Sequence, residues 1–260
     1  MIRLPVSRVL RILFGIAVPP AILICGLIFL MAQDVPELPR EESKFTLGRV
    51  FFDVSLLQMG RGRGFGRGFM GDPPWHHDWP RMEEHLMKIV AEVTKVDVNP
   101  GGHIFSFQDD DCFKYPIAYL CEVGFLNLSD EEVVRMREYL LRGGFLIVDD
   151  FRGEGALWNF EEQMRRVFPD RFLEELPRTH QIWKCFYDIS NVMLEPPYDQ
   201  YLVPQYYGIH DDNERLMMVV NYNNDLGEYV EFSDDPFMPF DATNVAYKYM
   251  VNYVMYALTH

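Results

Sequence analysis

Cysteine is scarce in this chain: four in 260 residues, with no C-x-x-C pair. Cys25 lies in an apolar N-terminal run, and Cys112, Cys121 and Cys185 cannot all pair with one another. That excludes a disulfide scaffold and a zinc knuckle. No G-x-x-x-x-G-K-[ST] stretch is present, so there is no Walker-type phosphate loop. The D-x-D-x-D-G loop of a calcium hand is missing as well. Internal repeats are absent, which sets aside solenoids and propellers. Acidic residues are missing from positions 1–32, which carry Arg3, Arg8 and Arg11. The rest of the chain holds 21 basic and 39 acidic groups, a net charge of −18. So acidic a body disfavours nucleic acid and anionic lipid as its partners.

What is present begins with an uninterrupted apolar run, Ile12 to Ala32. A spanning helix needs about 20 apolar residues, and a signal-peptide core is usually about 7–15. Length suits an uncleaved anchor, while Pro19-Pro20 and a small residue at Ala32 suit a cleaved signal. Residues 1–32 therefore read as a transmembrane anchor or signal peptide. The arginines stay inside and the remainder is exported, giving a periplasmic domain tethered to or released from the membrane. The partners implied are the membrane, through this helix, and a membrane or envelope protein. Residues 33–44 form a polar, proline-containing linker, and the globular part spans 45–260. Gly60 to Gly71, GRGRGFGRGFMG, reads as a flexible loop after the first strand, placed to act as a lid or partner hook.

The globular part is organised around Ser129 to Arg152. Ser129 and Glu132 have the spacing of a capping box. Val133, Met136 and Leu140 recur on one helical face, and Gly143-Gly144 stops the helix. Phe145 to Val148 is continuously apolar, as a strand covered on both faces should be, and it ends in Asp149-Asp150. Around this unit the pattern predicts strands over Phe45–Val54, Lys95–Val98 and Ile117–Leu120, with a turn over Asn99–Gly102. Helices are expected from Arg81, over Trp158–Phe168 and over Ala242–Leu258. Tyr206–His210 and Arg215–Tyr222 suit a late β-hairpin. Alternating strands and helices of this kind make an α/β domain, a mostly parallel sheet between two helix layers.

Asp78-Trp-Pro-Arg81, Tyr115-Pro116, Leu128-Ser129 with Glu132, and Tyr139-Leu-Leu-Arg-Gly-Gly-Phe-Leu-Ile-Val-Asp-Asp150 carry a resemblance to a known family. His180, Gly208 and Asn252-Tyr-Val-Met-Tyr-Ala-Leu258 complete it. The chain resembles, over about residues 45–260, the bacterial domain-of-unknown-function family 4159. That family is placed in the class I glutamine-amidotransferase-like superfamily. The resemblance implies a three-layer, flavodoxin-like sheet. The amidotransferases carry a nucleophilic cysteine at a G-x-C-x-G elbow between strand and helix. Here the strand from Phe145 ends in two aspartates instead. Cys121 follows a strand, but no helix begins until Ser129, so it reads as a small core residue.

Candidate chemistry rests on few residues. In open α/β sheets ligands bind beyond the carboxyl ends of the strands, which points to Asp149 and Asp150. Neighbours in a strand face opposite ways, so at most one of them meets a given ligand. A carboxylate there acts as base, metal ligand or hydrogen-bond acceptor; the plain alternative is a cap or an ion pair with Arg152. His180 becomes relevant if the fold sets it beside a strand-end aspartate. Asp109 and Asp111 are weak metal candidates, since consecutive acids usually form a solvated turn. His76-His77-Asp78 holds ligand types, but adjacent residues rarely converge on one ion. No firm metal ligand and no cofactor follow. The favoured reading is a non-catalytic ligand- or protein-binding module that has lost the amidotransferase nucleophile. The alternative is a hydrolase or metal-dependent enzyme using a strand-end Asp with His180. The topology is directly testable: a reporter enzyme that works only outside the cytoplasm, fused after His260, should be active. Activity from a cytoplasm-dependent reporter alone would refute the exported placement.

Overall fold

The structure, a computed structural model, describes residues 43–54, 73–199 and 201–260. The expected helix over 1–32, nearly all of the 33–44 linker and the Gly60–Gly71 loop lie outside the described residues. Among the described residues no helix is long and apolar enough to cross a membrane.

Seven strands make one sheet: β1 Phe45–Val50, β2 Val98–Phe105, β3 Ile117–Cys121, β4 Phe145–Phe151, β5 Glu174–Glu175, β6 Gln205–His210 and β7 Leu216–Tyr222. Their order is β2-β1-β3-β4-β7-β6-β5. The first five in that order are parallel neighbours, and β6 and β5 are added antiparallel at one side. Counted alone, the parallel strands run 2-1-3-4-5, with chain direction across the sheet reversing between β1 and β3. Ligand crevices form at such a reversal.

Among the described residues five helices flank the sheet: α1 Arg81–Val93, α2 Asp130–Leu141, α3 Gly153–Val167, α4 Leu226–Glu231 and α5 Phe240–Thr259. Helices α1, α4 and α5 pack together over the face that carries Leu47, Tyr119 and Ile147. The intervening residues Ala118, Leu120, Leu146 and Val148 are equally buried and point the other way, the side where α2 and α3 pack on each other. Each large aliphatic side chain buried this way contributes roughly 1.5–3 kcal/mol.

Local signals explain most boundaries. Ser129 Oγ accepts from Glu132 N at 3.2 Å while Glu132 Oε2 accepts from Ser129 N at 2.7 Å, the expected reciprocal cap. Gly143 has φ 108°, and Gly144 N donates to Tyr139 O at 2.9 Å, closing α2. The second strand departs from expectation. It runs through Asn99-Pro-Gly-Gly102 rather than stopping before it. As an edge strand it tolerates Pro100, and Gly102 is opposite Leu47 where a Cβ would press on Trp79 and Glu83. The strand from Phe145 is longer than its apolar core, so Asp149 and Asp150 lie inside it. Helix α3 begins at Gly153, five residues earlier than its apolar pattern, because Gly153 N finds Asn223 Oδ1 at 3.0 Å. The hairpin of β6 and β7 forms, and β7 also pairs parallel with β4, which makes it central rather than peripheral.

One ionic contact crosses the core. Arg49 of β1 and Glu83 of α1 are both fully buried, with Arg49 Nε donating to Glu83 Oε1 at 2.6 Å. Removing one partner strands the other charge, so Arg49→Met or Glu83→Leu alone should cost about 3–5 kcal/mol in urea unfolding. The double variant should recover part of that loss. Fully additive losses would show that the pair is not coupled.

Candidate functional site

The carboxyl ends of β3, β4 and β7 meet the loop that leads into α1, and acidic side chains converge there. Asp149 is fully buried and fully satisfied. Its Oδ2 accepts from Tyr119 Oη at 2.8 Å, Leu226 N at 2.8 Å and Gly227 N at 2.9 Å, and its Oδ1 from Asn221 Nδ2 at 3.0 Å. It anchors the first turn of α4. Burial pushes its carboxyl up to about 6, with the hydrogen bonds from Tyr119 and Gly227 opposing the rise. Asp150 differs. Its φ of 49° breaks the strand's alternation, and its Oδ2 lies 2.7 Å from His77 Nδ1. That hydrogen bond raises His77 to about 10, against the opposing effect of burial.

Beside His77 stands Asp78, whose side chain is 1% exposed. Neither of its carboxylate oxygens has a hydrogen-bond partner among the described residues. Burial, then the charge of Asp150, raises it well above the usual carboxylate range. A Cβ at Gly227 would collide with Asp78 Oδ2, so glycine there keeps space for the acid. Glu122, half-buried, is pushed up to about 8 and Glu228 to about 7, both chiefly by burial. Asp225 caps α4 by accepting from Glu228 N at 2.9 Å, yet its Oδ2 is buried and unpartnered.

The loop bearing His77 and Asp78 is held from beneath by Arg49. Its Nη1 donates to His77 O at 2.9 Å and to Trp75 O at 3.4 Å, and lies 3.1 Å from Cys121 Sγ. The guanidinium sits 4.4 Å over the Tyr119 ring. Four non-glycine residues around this point have left-handed backbones: Asp78 (φ 64°), Glu122 (51°), Asp150 (49°) and Asn223 (56°). Each such residue costs roughly 1 kcal/mol or more, a strain that gathers at functional sites. A crevice of about 280 Å³, lined in part by Glu122, Gly124, Asp150 and Arg152, opens beside them. Two sets of ligand atoms fall within 4.8 Å of one another, His77–Asp78–Asp150 and Asp78–Glu228–Glu231. Either arrangement suits a hard or borderline divalent cation.

The other expected site residues go elsewhere. A second depression, about 650 Å³, is lined in part by His180, His210, His260 and Glu174. It lies where β6 ends and β7 begins, at the opposite end of β7 from Asn221 and so of the sheet from Asp149. His180 Nδ1 accepts from Ile182 N at 3.2 Å, and burial, then His210, lowers its pKa. The structure therefore does not bring His180 to Asp149 or Asp150. The reason is that the segment after Pro177 is tied to α5 through Asn252, which bonds Ile182 O and the Tyr187 backbone. Asp109 Oδ2 closes a turn onto Ser106 N at 2.7 Å, and Asp111 Oδ2 is 3.8 Å from His103 Nε2, so the two do not converge on a common ion. Cys121 is buried, and burial raises its thiol well above the ordinary range, which makes it a poor nucleophile.

Adjacent residues such as His77 and Asp78 seldom bring ligand atoms to one point; the positive φ at Asp78 accompanies the close approach of the two here. Glu228 and Glu231 went unremarked. A signal was available: Leu216–Val220 is an apolar run that ends in a polar Asn221-Tyr-Asn-Asn-Asp225, the same pattern as Phe145–Asp150, and Asp225 with Glu228 has capping spacing.

Compared with known proteins, the chain matches the model of one family, described as a domain of unknown function (DUF4159), over residues 65–258. No curated protein matches it. The geometry separates two aspartates that look alike in sequence. Asp149→Asn turns an amide toward groups that need an acceptor and should lower unfolding free energy by about 1–3 kcal/mol. Asp78→Asn replaces a buried carboxyl that has no hydrogen-bond partner among the described residues and should leave stability equal or raise it by about 1 kcal/mol. Denaturant titration of both variants measures the contrast; the reverse ranking would refute these roles.

Proposed function

The chain belongs to the DUF4159 family of domains of unknown function, and from its site we propose that it is a binding module that captures a divalent cation. The site is the acidic cluster at the carboxyl ends of β3, β4 and β7, beside the crevice. The observation that carries this reading is Asp78: a buried carboxylate with no hydrogen-bond partner among the described residues, flanked by further acids. Holding that carboxylate in its charged form without a hydrogen bond is costly, and a cation bound between the acids offsets that cost. The 2-1-3-4-5 order of the parallel strands supports the flavodoxin-like, glutamine-amidotransferase-like relationship. The position of Cys121, buried and followed by a 3₁₀ turn rather than a helix, supports loss of the amidotransferase nucleophile. The N-terminal apolar run supports an exported, membrane-tethered domain, with the membrane and an envelope protein as its partners.

A second reading, a metal-dependent hydrolase, draws on one observation. Glu122 lines the 280 Å³ crevice with Asp150 and Arg152 and holds its proton up to about pH 8. An acid so poised suits general acid work. Hydrolysis of simple carboxyl or phosphate esters that disappears in Glu122→Gln would favour that reading; the binding module turns over neither.

The cation reading has a direct measurement. Mn²⁺ or Mg²⁺ at a hundredfold excess over its Kd should stabilise the full-length chain by about 2.7 kcal/mol, a rise in Tm of about 5–10 °C. Asp78→Asn should abolish the rise while remaining folded. Absence of any shift with Mn²⁺, Mg²⁺, Ca²⁺ and Zn²⁺ alike would end the proposal.

A further inference from the structure

We infer that the acidic cluster beside the crevice holds a pair of divalent cations bridged by Asp78, one set by His77 and Asp150 and the other by Glu228 and Glu231. The inference rests on the cation-binding reading above and adds number, bridging and metal class to it. Asp78 is common to both ligand sets, and within each set the ligand atoms lie within 4.8 Å of one another. Both of its oxygens are buried and have no hydrogen-bond partner among the described residues. A carboxylate serving a single ion needs only one of them, whereas a bridging carboxylate uses one for each metal. The three other acids arrive from different elements: Asp150 from the end of β4, and Glu228 and Glu231 one turn apart on α4. Gly227, whose Cβ would strike Asp78 Oδ2, keeps the bridging position open.

Charge supports the same count. Asp78, Asp150, Glu228 and Glu231 supply four negative charges and His77 a neutral donor once an ion replaces its proton. One divalent ion leaves half of that charge uncompensated in a largely buried site, and a pair balances it. Binuclear centres place their ions about 3.5–4 Å apart across such bridges. The first set mixes imidazole with carboxylate and the second is all carboxylate, so Mn²⁺, which accepts both, fits the pair as a whole.

The test is a Mn²⁺ titration of the full-length chain purified in detergent. Bound metal is counted by equilibrium dialysis, and the bound ions are followed by electron paramagnetic resonance. The expected result is two Mn²⁺ per chain whose six-line signal collapses through spin coupling as the second equivalent binds. Glu231→Gln, at a half-buried position, should retain one Mn²⁺ with an isolated six-line signal; Glu228→Gln serves the same purpose if that variant fails to fold. Asp78→Asn should show no coupled signal at any loading. A single Mn²⁺ in the wild type, two magnetically independent ions, or a coupled pair that survives Glu231→Gln would each overturn the bridged pair while leaving a cation site intact. No bound Mn²⁺ at all would also overturn the pair; the binding reading falls with it only if Mg²⁺, Ca²⁺ and Zn²⁺ fail to bind as well.

Discussion

The site depends on one buried cation of the protein's own. Arg49 is fully enclosed beneath the crevice, and every strong contact it makes joins a different part of the fold: Glu83 from α1, the carbonyls of Trp75 and His77 from the entry loop, and Cys121 and Tyr119 from β3. A guanidinium in that position is tolerable only when its planar fork is paired. Pairing it fixes the loop, and the loop's fixed course sets His77 and Asp78 against the ends of β4 and β7. Lysine would not substitute, because a point charge cannot hold a carboxylate, two carbonyls and an aromatic face at once.

Above Arg49 the chain departs from the agreement between local and global preference that characterises the rest of the fold. Ser129 caps α2 as its sequence dictates, and Gly143 ends it where glycine is needed. At the crevice, by contrast, acids outnumber bases, four non-glycine residues take left-handed backbones, and Asp78 and Asp225 have carboxylate oxygens with no hydrogen-bond partner among the described residues. Such conflicts persist where surrounding structure over-determines them, and they concentrate where a ligand resolves them. Asp149 is the exception that frames the site: its four hydrogen bonds make it part of the scaffold, turning α4 so that Glu228 and Glu231 face Asp78.

The two ends of the sheet are chemically distinct. The carboxyl ends of the parallel strands are acidic and strained, while the other end collects His180, His210 and His260 around a wider depression. The aromatic packing of Trp183, Tyr206, Tyr249 and Tyr253 separates them, with Tyr253 reaching Asn221 at 2.7 Å as the last link toward the acidic end.

The sequence by itself determined what local periodicity and stereochemistry can encode. It set the helix from Ser129, its stop at Gly143-Gly144, the buried strand from Phe145, the closing helix and the acidic strand end. These follow from side-chain spacing and from φ constraints that act within a few residues. Only the tertiary structure decided which acids face one another. His77 joins Asp150 across 73 positions of chain. His180 goes to the far end of the sheet because Asn252 holds its segment, and β2 extends through a proline and two glycines because an edge strand permits it. Strand order and a positive φ at Asp78 and Asp150 are set by packing across the whole domain. No window of neighbouring residues carries that information, which is why the fold was legible from the sequence and the partners within the site were not.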